Sequence, residues 1–246
     1  MSAPKRFMVV SDVHGSQQDE ATVAAALTFA ADFNPQIRVI AGDLWDFRQL
    51  RKGASDEEKA GTLEDDWEAG IAFADAFYKG GRENHFLRGN HDERMWHHAD
   101  ACTGMMRDFA RDGIKRIEGH AKRWRAKMLP YDSALGILRI GHLSVLHGYH
   151  AGANAAAMHA RVYGNSIFGH VHTIEACAVP SLVPAEARSI GCLCKRDMDY
   201  MSARTGKLRW GNGWAYGLTY PDGSYTLLQA RKINGKFTCA TDFKTY

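Results

Sequence analysis

The chain has 246 residues, 45% hydrophobic and 24% charged, which suffices for one full core and argues against disordered or fibrous classes. No stretch approaches the roughly 18 apolar residues that span a bilayer, so a membrane-spanning helix is not expected. A formal net charge of +3 is too small to demand a nucleic-acid partner.

The N-terminus, MSAPKRFMVVSDVHG, has an apolar run too short for a signal peptide and runs straight into charged residues. It reads as a first strand of a cytoplasmic protein. Phe7 to Val10 is that buried strand, ending in Ser-Asp-Val-His-Gly. Asp19 to Phe33 has helical spacing, and Asn34-Pro35 stops it. Ile37 to Ala41 is a second buried strand, ending in Gly-Asp. Ser55 to Tyr78 reads as a long helix, capped by Ser55 with Glu58 completing a capping box and closed by Gly80-Gly81. Asn84 to Leu87 is a third strand, ending in Gly-Asn-His-Asp.

Arg94 to Asp112 reads as helical. Ile137 to Leu146 alternates as a strand does and ends in His-Gly. A short helix over Ala153 to Val162 precedes the strand Ser166 to Phe168, which ends in Gly-His-Val-His. After Pro184 short β-type runs alternate with Gly, Asn-Gly and Pro-Asp-Gly turns: Leu208 to Trp210, Trp214 to Tyr220, Tyr225 to Ala230 and Phe237 to Ala240. The pattern predicts an α/β sandwich with a β-rich, antiparallel C-terminal layer, in one domain over 1–246.

The five cysteines, Cys102, Cys177, Cys192, Cys194 and Cys239, contain no CxxC pair, which argues against a cysteine zinc site. Cys192 and Cys194, at i and i+2, would share one face if this segment is a strand and read as packed thiols, in keeping with a reducing compartment.

One event recurs five times: an apolar strand ends and metal-ligand residues follow. The clusters are Asp12-Val13-His14, Gly42-Asp43, Gly89-Asn90-His91-Asp92, His147-Gly148 and Gly169-His170-Val171-His172. Sites of open α/β sheets lie beyond the carboxyl ends of the strands, so the loops can converge. In extended backbone, Asp12 and His14, like His170 and His172, point to one side, and each pair can grip one metal or divide between two. Carboxylate, imidazole and carboxamide donors without thiolate suit manganese, iron or zinc; calcium prefers all-oxygen cages. A lone DxH or Gly-Asp more often caps a turn. The ordered set of five is what argues for chemistry.

This order, DxH, GD, GNH, His and GHxH from Asp12 to His172, resembles the calcineurin-like metallophosphoesterase superfamily. The resemblance implies a four-layer α/β/β/α sandwich of two mixed sheets flanked by helices, with two divalent metal ions at the strand ends: manganese first, with iron, zinc or nickel as alternatives. Carried over by motif, Asp12, His14 and His172 hold the first metal, and Asn90, His147 and His170 the second. Asp43 bridges both. His91 sits off the metals as the catalytic group against the substrate phosphate, and Asn90 also faces substrate. Two metals about 3.5–4 Å apart clamp phosphate oxygens and acidify a bridging water.

Asp46 matches the second Asp of GDxxD and either orients His91 or caps a loop. Arg94 either meets a substrate phosphate or is a solvated helix-start residue. His150, three residues beyond His147, is placed at the mouth of the site as a substrate contact. Arg48 falls in an Asp-Phe-Arg context that departs from the Asp-Arg-Gly of protein phosphatases, which places a phosphoprotein last among substrates. The basic residues between Arg107 and Lys127, with Trp124 among them, read either as a nucleic-acid track with a stacking aromatic or as a solvated surface. Interleaved Asp108, Asp112 and Glu118 favour the second.

Three functions follow. The first is a phosphodiesterase acting on nucleotides or nucleic acid. The second is a phosphomonoesterase acting on metabolites or phosphoproteins. The third is an inactive binding scaffold, which the presence of all seven ligands and His91 disfavours. A membrane partner is not expected, and the sequence leaves the oligomeric state open.

Overall fold

The computed structural model describes residues 3–56, 60, 62–196 and 209–240. Two mixed sheets lie face to face with helices outside them. The first sheet has the order β12-β11-β10-β1-β2-β3-β4. Its centre is β1 (Lys5–Val10), β2 (Ile37–Ala41), β3 (Glu83–Leu87) and β4 (Ala126–Leu129), all parallel. The C-terminal hairpins, β10 (Gly213–Thr219), β11 (Tyr225–Ile233) and β12 (Lys236–Phe237), extend this sheet antiparallel from the free side of β1.

The second sheet has the order β5-β6-β7-β9-β8, from β5 (Leu138–Ile140), β6 (Leu143–Leu146), β7 (Ser166–Phe168), β8 (Ile174–Val179) and β9 (Ala185–Ile190).

Strand alternation builds the layers. Phe7 and Val9 face the second sheet and meet Val145, Ile167 and Ile190 in the core between the sheets. Met8 and Val10 point the other way, under α1 (Glu20–Phe33), α2 (Leu63–Tyr78) and α4 (Gly104–Arg123). Leu146 and Phe168 leave the second sheet toward α5 (Ala155–Tyr163). Burying each such side chain contributes about 1.5–3 kcal/mol. Phe7→Ala is expected to cost about 3–5 kcal/mol by opening a cavity between the sheets.

Local signals explain most boundaries. Asp19 accepts from Thr22 N at 2.7 Å to cap α1, and Asn34 closes it in a left-handed conformation before Pro35. The long helix expected from Ser55 starts instead at Leu63, where Thr62 accepts from Asp65 N. Ser55 lies in irregular chain ahead of it, and Glu58 lies outside the described residues. The helix expected over Arg94 to Asp112 is two helices, α3 (Arg94–Ala101) and α4, because Gly104 takes φ +57° and turns the chain. The strand expected over Ile137 to Leu146 is the hairpin β5–β6, folded at Gly141 with φ +59°. Leu208, in the short strand expected to Trp210, lies outside the described residues, and Trp210 makes an isolated bridge to Thr173.

Register brings the carboxyl ends level. Ala41 pairs with Leu87, and Leu146 with Phe168, so the chain leaves at Gly42, Arg88, His147 and Gly169 at one end of the sandwich.

Candidate metal centre

The β1 and β2 loops run on together past their strands. Asp12 N donates to Gly42 O, and Val13 N and His14 N both donate to Asp43 O, at 2.9–3.0 Å. Nine non-glycine residues have positive φ among those described, and five are proposed ligands: Asp12 (55°), His14 (54°), Asp43 (51°), His170 (67°) and His172 (57°). The pairs therefore converge through left-handed backbone, not through the extended backbone expected from their i, i+2 spacing. Each such residue costs of order 1–3 kcal/mol, and strain concentrated in this way is a mark of a functional site.

Two buried carboxylates hold these loops. Asp92 accepts from Asp43 N and Gly89 N, both at 2.8 Å, and from Trp45 N at 3.1 Å. Asp66, projecting from α2, accepts from Ser16 N, Asp46 N and Phe47 N at 2.8–3.2 Å. Glycine makes the close approaches possible: a Cβ on Gly89 would lie 2.1 Å from Asp43 Oδ1, and one on Gly70 of α2 would lie 2.3 Å from the Trp45 indole nitrogen.

The proposed ligands meet in two groups. In the first, His172 Nε2 lies 3.1 Å from Asp12 Oδ1 and 3.1 Å from His14 Nε2. In the second, Asn90 Oδ1 lies 3.0 Å from His147 Nε2 and 2.7 Å from His170 Nδ1. Asp43 stands between them. Its Oδ2 is 3.3 Å from His147 Nε2 and 3.8 Å from His14 Nε2. Among the described residues, His, Cys and Asp donor atoms within 4.8 Å of one another form three overlapping sets: Asp12–Asp43–His147, His14–Asp43–His91 and His14–His172–Cys194.

The electrostatics call for cations. Burial alone would raise the carboxyl of Asp12, yet His172, His14 and His147 hold it well below the ordinary range. Burial likewise opposes ionisation of Asp43 and Asp46, and the imidazoles beside them win. Burial would push His14 down, but hydrogen bonds to Asp12 and Asp46 and the charges of Asp46 and Asp43 raise it well above 6.5. Against its own burial, His147 is raised to about 9 by Asp43 and Asp12. His170, buried beside His147, falls to about 4. Burial and the Asp43 charge raise Asp92 to about 7. Protons on His14 and His147 thus supply positive charge to the carboxylates.

A divalent cation could take the place of the His14 proton in the first group. His14 Nδ1 lies 3.0 Å from Asp46 Oδ1, and its Nε2, facing His172 Nε2 at 3.1 Å, would be free to ligate once that proton leaves. Two facing imidazole nitrogens beside a carboxylate make a ligand set for a shared cation.

His91 is arranged differently. Its Nδ1 lies 2.7 Å from Asp46 Oδ1, and its Nε2 faces Arg94 Nη2 at 3.3 Å and Asp43 Oδ2 at 3.9 Å. Arg94 thus borders the Nε2 edge of the ring. Burial, with His14 and Arg94 nearby, lowers its pKa. Arg94 also donates to Asp46 O at 2.6 Å, which places it beside the proposed ligand cluster. His150 does not join it in the same way: its ring meets His159, with centroids 5.1 Å apart. Arg48 opens a short turn, Arg48–Leu50.

Several cations of the basic segment are paired with carboxylates. Arg116 pairs with Glu64, Lys115 with Asp112 and Arg123 with Asp75. Trp124 is not a stacking platform: it is only 6% exposed, packs in the helix-side core and donates to Asp75 Oδ1.

Sequence reasoning missed Asp66 and Cys194. Asp66 sits among acidic first-turn residues that ordinarily face solvent. Cys194, read as a packed thiol, has its Sγ 3.7 Å from His172 Nδ1.

A family model described as calcineurin-like phosphoesterase matches residues 5–173. The chain belongs to that family. No curated protein matches it by sequence. Among solved structures, this chain is similar to Vps29 from Chaetomium thermophilum, at 12% identity and TM-score 0.49, over 96% of this chain and 93% of that one. It is also similar to an archaeal phosphodiesterase, at 14% identity and TM-score 0.47, over 91% and 99%. A third is YfcE, a phosphoesterase from E. coli, at 13% identity and TM-score 0.41, over 91% and 98%. Among the described residues no helix is long and apolar enough to cross a membrane.

Proposed function

We propose that this chain is a dinuclear metal-dependent phosphoesterase acting on phosphodiesters of the nucleotide or nucleic-acid kind. The observation that carries the reading is Asp43, whose single carboxylate oxygen faces imidazoles of both ligand groups at 3.3 and 3.8 Å. Asp12, His14 and His172 would hold one ion, Asn90, His147 and His170 the other, and Asp43 both. Two such ions, manganese first among iron, zinc and nickel, would clamp phosphate oxygens and acidify a water for in-line attack.

The protein's own groups do the rest. Asn90 brings a neutral oxygen and so limits negative charge where an anionic nucleophile forms. Asp46 orients His91 through Nδ1, leaving Nε2 toward the substrate. In the free site His91 is held below its ordinary value, and a phosphate anion against Nε2 favours the proton's return. That proton can then pass to the leaving oxygen. Arg94, with one guanidinium nitrogen beside His91 Nε2, is placed to meet a non-bridging phosphate oxygen.

The lean to diesters rests on an open mouth. The stretch between Asp92 and His147 is spent on α3, α4, β4, β5 and β6, which leaves no separate cap within it. The basic segment lends it no support. Arg94 favours a second reading, a phosphomonoesterase, because a guanidinium suits a terminal dianionic phosphate. Five free thiols suit the cytoplasmic setting this reading assumes.

A manganese-loaded panel of bis(4-nitrophenyl) phosphate, 4-nitrophenyl phosphate and single- and double-stranded nucleic acid tests the proposal. Diesters are expected to turn over faster than the monoester. A preference for the monoester selects the second reading, and turnover of none sinks both.

A further inference from the structure

The family match ends at residue 173, yet the back of the first ligand group is built from later chain. Leu193 N donates to Asp12 O at 3.0 Å, and Gly211 N donates to His172 O at 2.8 Å. Asn212 Nδ2 donates to Cys194 O at 2.8 Å and Cys192 O at 3.3 Å, fixing the Cys-Leu-Cys turn against both. Cys194 is fully buried, and Trp210 lies edge-on to the His172 ring with centroids 4.2 Å apart.

A ligating imidazole needs a partner for its outer nitrogen, which fixes the tautomer and aims the ring. His14 has the Asp46 carboxylate at Nδ1, and His147 has the Ala41 carbonyl at 2.9 Å. For His172 to turn the Nε2 lone pair toward Asp12 and His14, its proton must sit on Nδ1. The partner described there is Cys194 Sγ, at 3.7 Å.

We infer that Cys194 is a positioning residue for His172: its sulfur takes the Nδ1–H and keeps Nε2 aimed at the first metal. The inference rests on the dinuclear reading above. The other thiol of the same stretch makes a natural control, because Cys192 Sγ lies against the carbonyls of Cys194 and Gly211 at 3.8 Å and Asn212 Nδ2 at 3.9 Å, and not against a ligand ring nitrogen.

The test is a stepwise manganese titration of the metal-free 246-residue chain, wild type against Cys194→Ala, Cys194→Ser and Cys192→Ala. It is repeated in an Asn90→Ala background that isolates the first position. Cys194→Ala should weaken the first ion about 10–100-fold and leave the second within about twofold, a typical loss for a ligand's outer hydrogen-bond partner. Cys194→Ser should restore most of the affinity, and Cys192→Ala should change neither. Cobalt-loaded wild type should lack a sulfur-to-cobalt charge-transfer band. Unchanged first-site affinity in Cys194→Ala overturns the inference. So does an equal loss at both sites without rescue by serine, and so does a charge-transfer band, which would make Cys194 a ligand. A wild-type chain that binds no ion fails earlier and overturns the dinuclear reading itself.

Discussion

The two ligand groups differ in how they are enclosed. Asp12, His14 and His172 are buried, the last only 4% exposed, with a carboxylate and a thiol behind the two rings. In the other group His147 is buried, but Asn90 and His170 are partly open to solvent. The buried group brings two imidazole nitrogens to 3.1 Å with a carboxylate at hand, an arrangement that a cation relieves. Raised imidazoles hold protons in both groups: His14 against Asp46 in the buried one, His147 against Asn90 and Asp43 in the open one. The contrast teaches that the first ion should be held and the second exchanged, with the substrate entering on the second ion's side.

The largest effect should come from erasing the difference. Asp43→Asn weakens the group that serves both sides, and turnover should fall about 10^4-fold with both ions lost from the purified protein. Asn90→Ala or His170→Ala should break one side alone. The second ion is weakened, the first stays, and turnover drops about 10^3-fold, read by metal analysis beside kinetics. Full metal content with full rate in either variant would mean that the group is misassigned. His91→Asn should cost about 100-fold in rate while metal occupancy stays nearly intact, because Arg94 and Asp46 engage its two nitrogens. Loss of metal there would make His91 a ligand.

The smallest effect is a pH dependence of the metal-free protein. His147 has a folded value of about 9 against an ordinary 6.5, so its stabilising contribution is complete below pH 6.5 and disappears as pH rises through 9. Melting temperature of the metal-free chain should decline over that window. Affinity for the second ion should climb by up to about tenfold per pH unit as the competing proton leaves. A flat profile in both measurements would mean that His147 does not carry this proton.

Much of this was legible because strand ends are chemically abrupt. An apolar run stopping at Asp-Val-His or Gly-Asn-His-Asp leaves little choice of where those side chains sit, and β2 and β7 fall at their expected bounds. The backbone that aims the ligands was not legible. The left-handed Asp12 and His14 are held by hydrogen bonds to residues 42 and 43 in the loop after β2, which local spacing cannot report. Three strands also escaped. β4 (AKML) is short and continues a basic run, while β8 (IEACAV) and β9 (AEARSI) lack clean alternation, since pairing within their sheet and not pattern makes them strands. Trp124 looked exposed among cations. Burying its ring while Asp75 takes its N–H is a tertiary choice.

The central claim is that one carboxylate joins two metal positions into a single hydrolytic centre. Titrating the metal-free protein with manganese while following bis(4-nitrophenyl) phosphate tests it most directly. The account predicts two ions per chain and turnover that appears only as the second binds. Full turnover with one ion bound, or saturation by two ions without turnover of any phosphate ester, would contradict it.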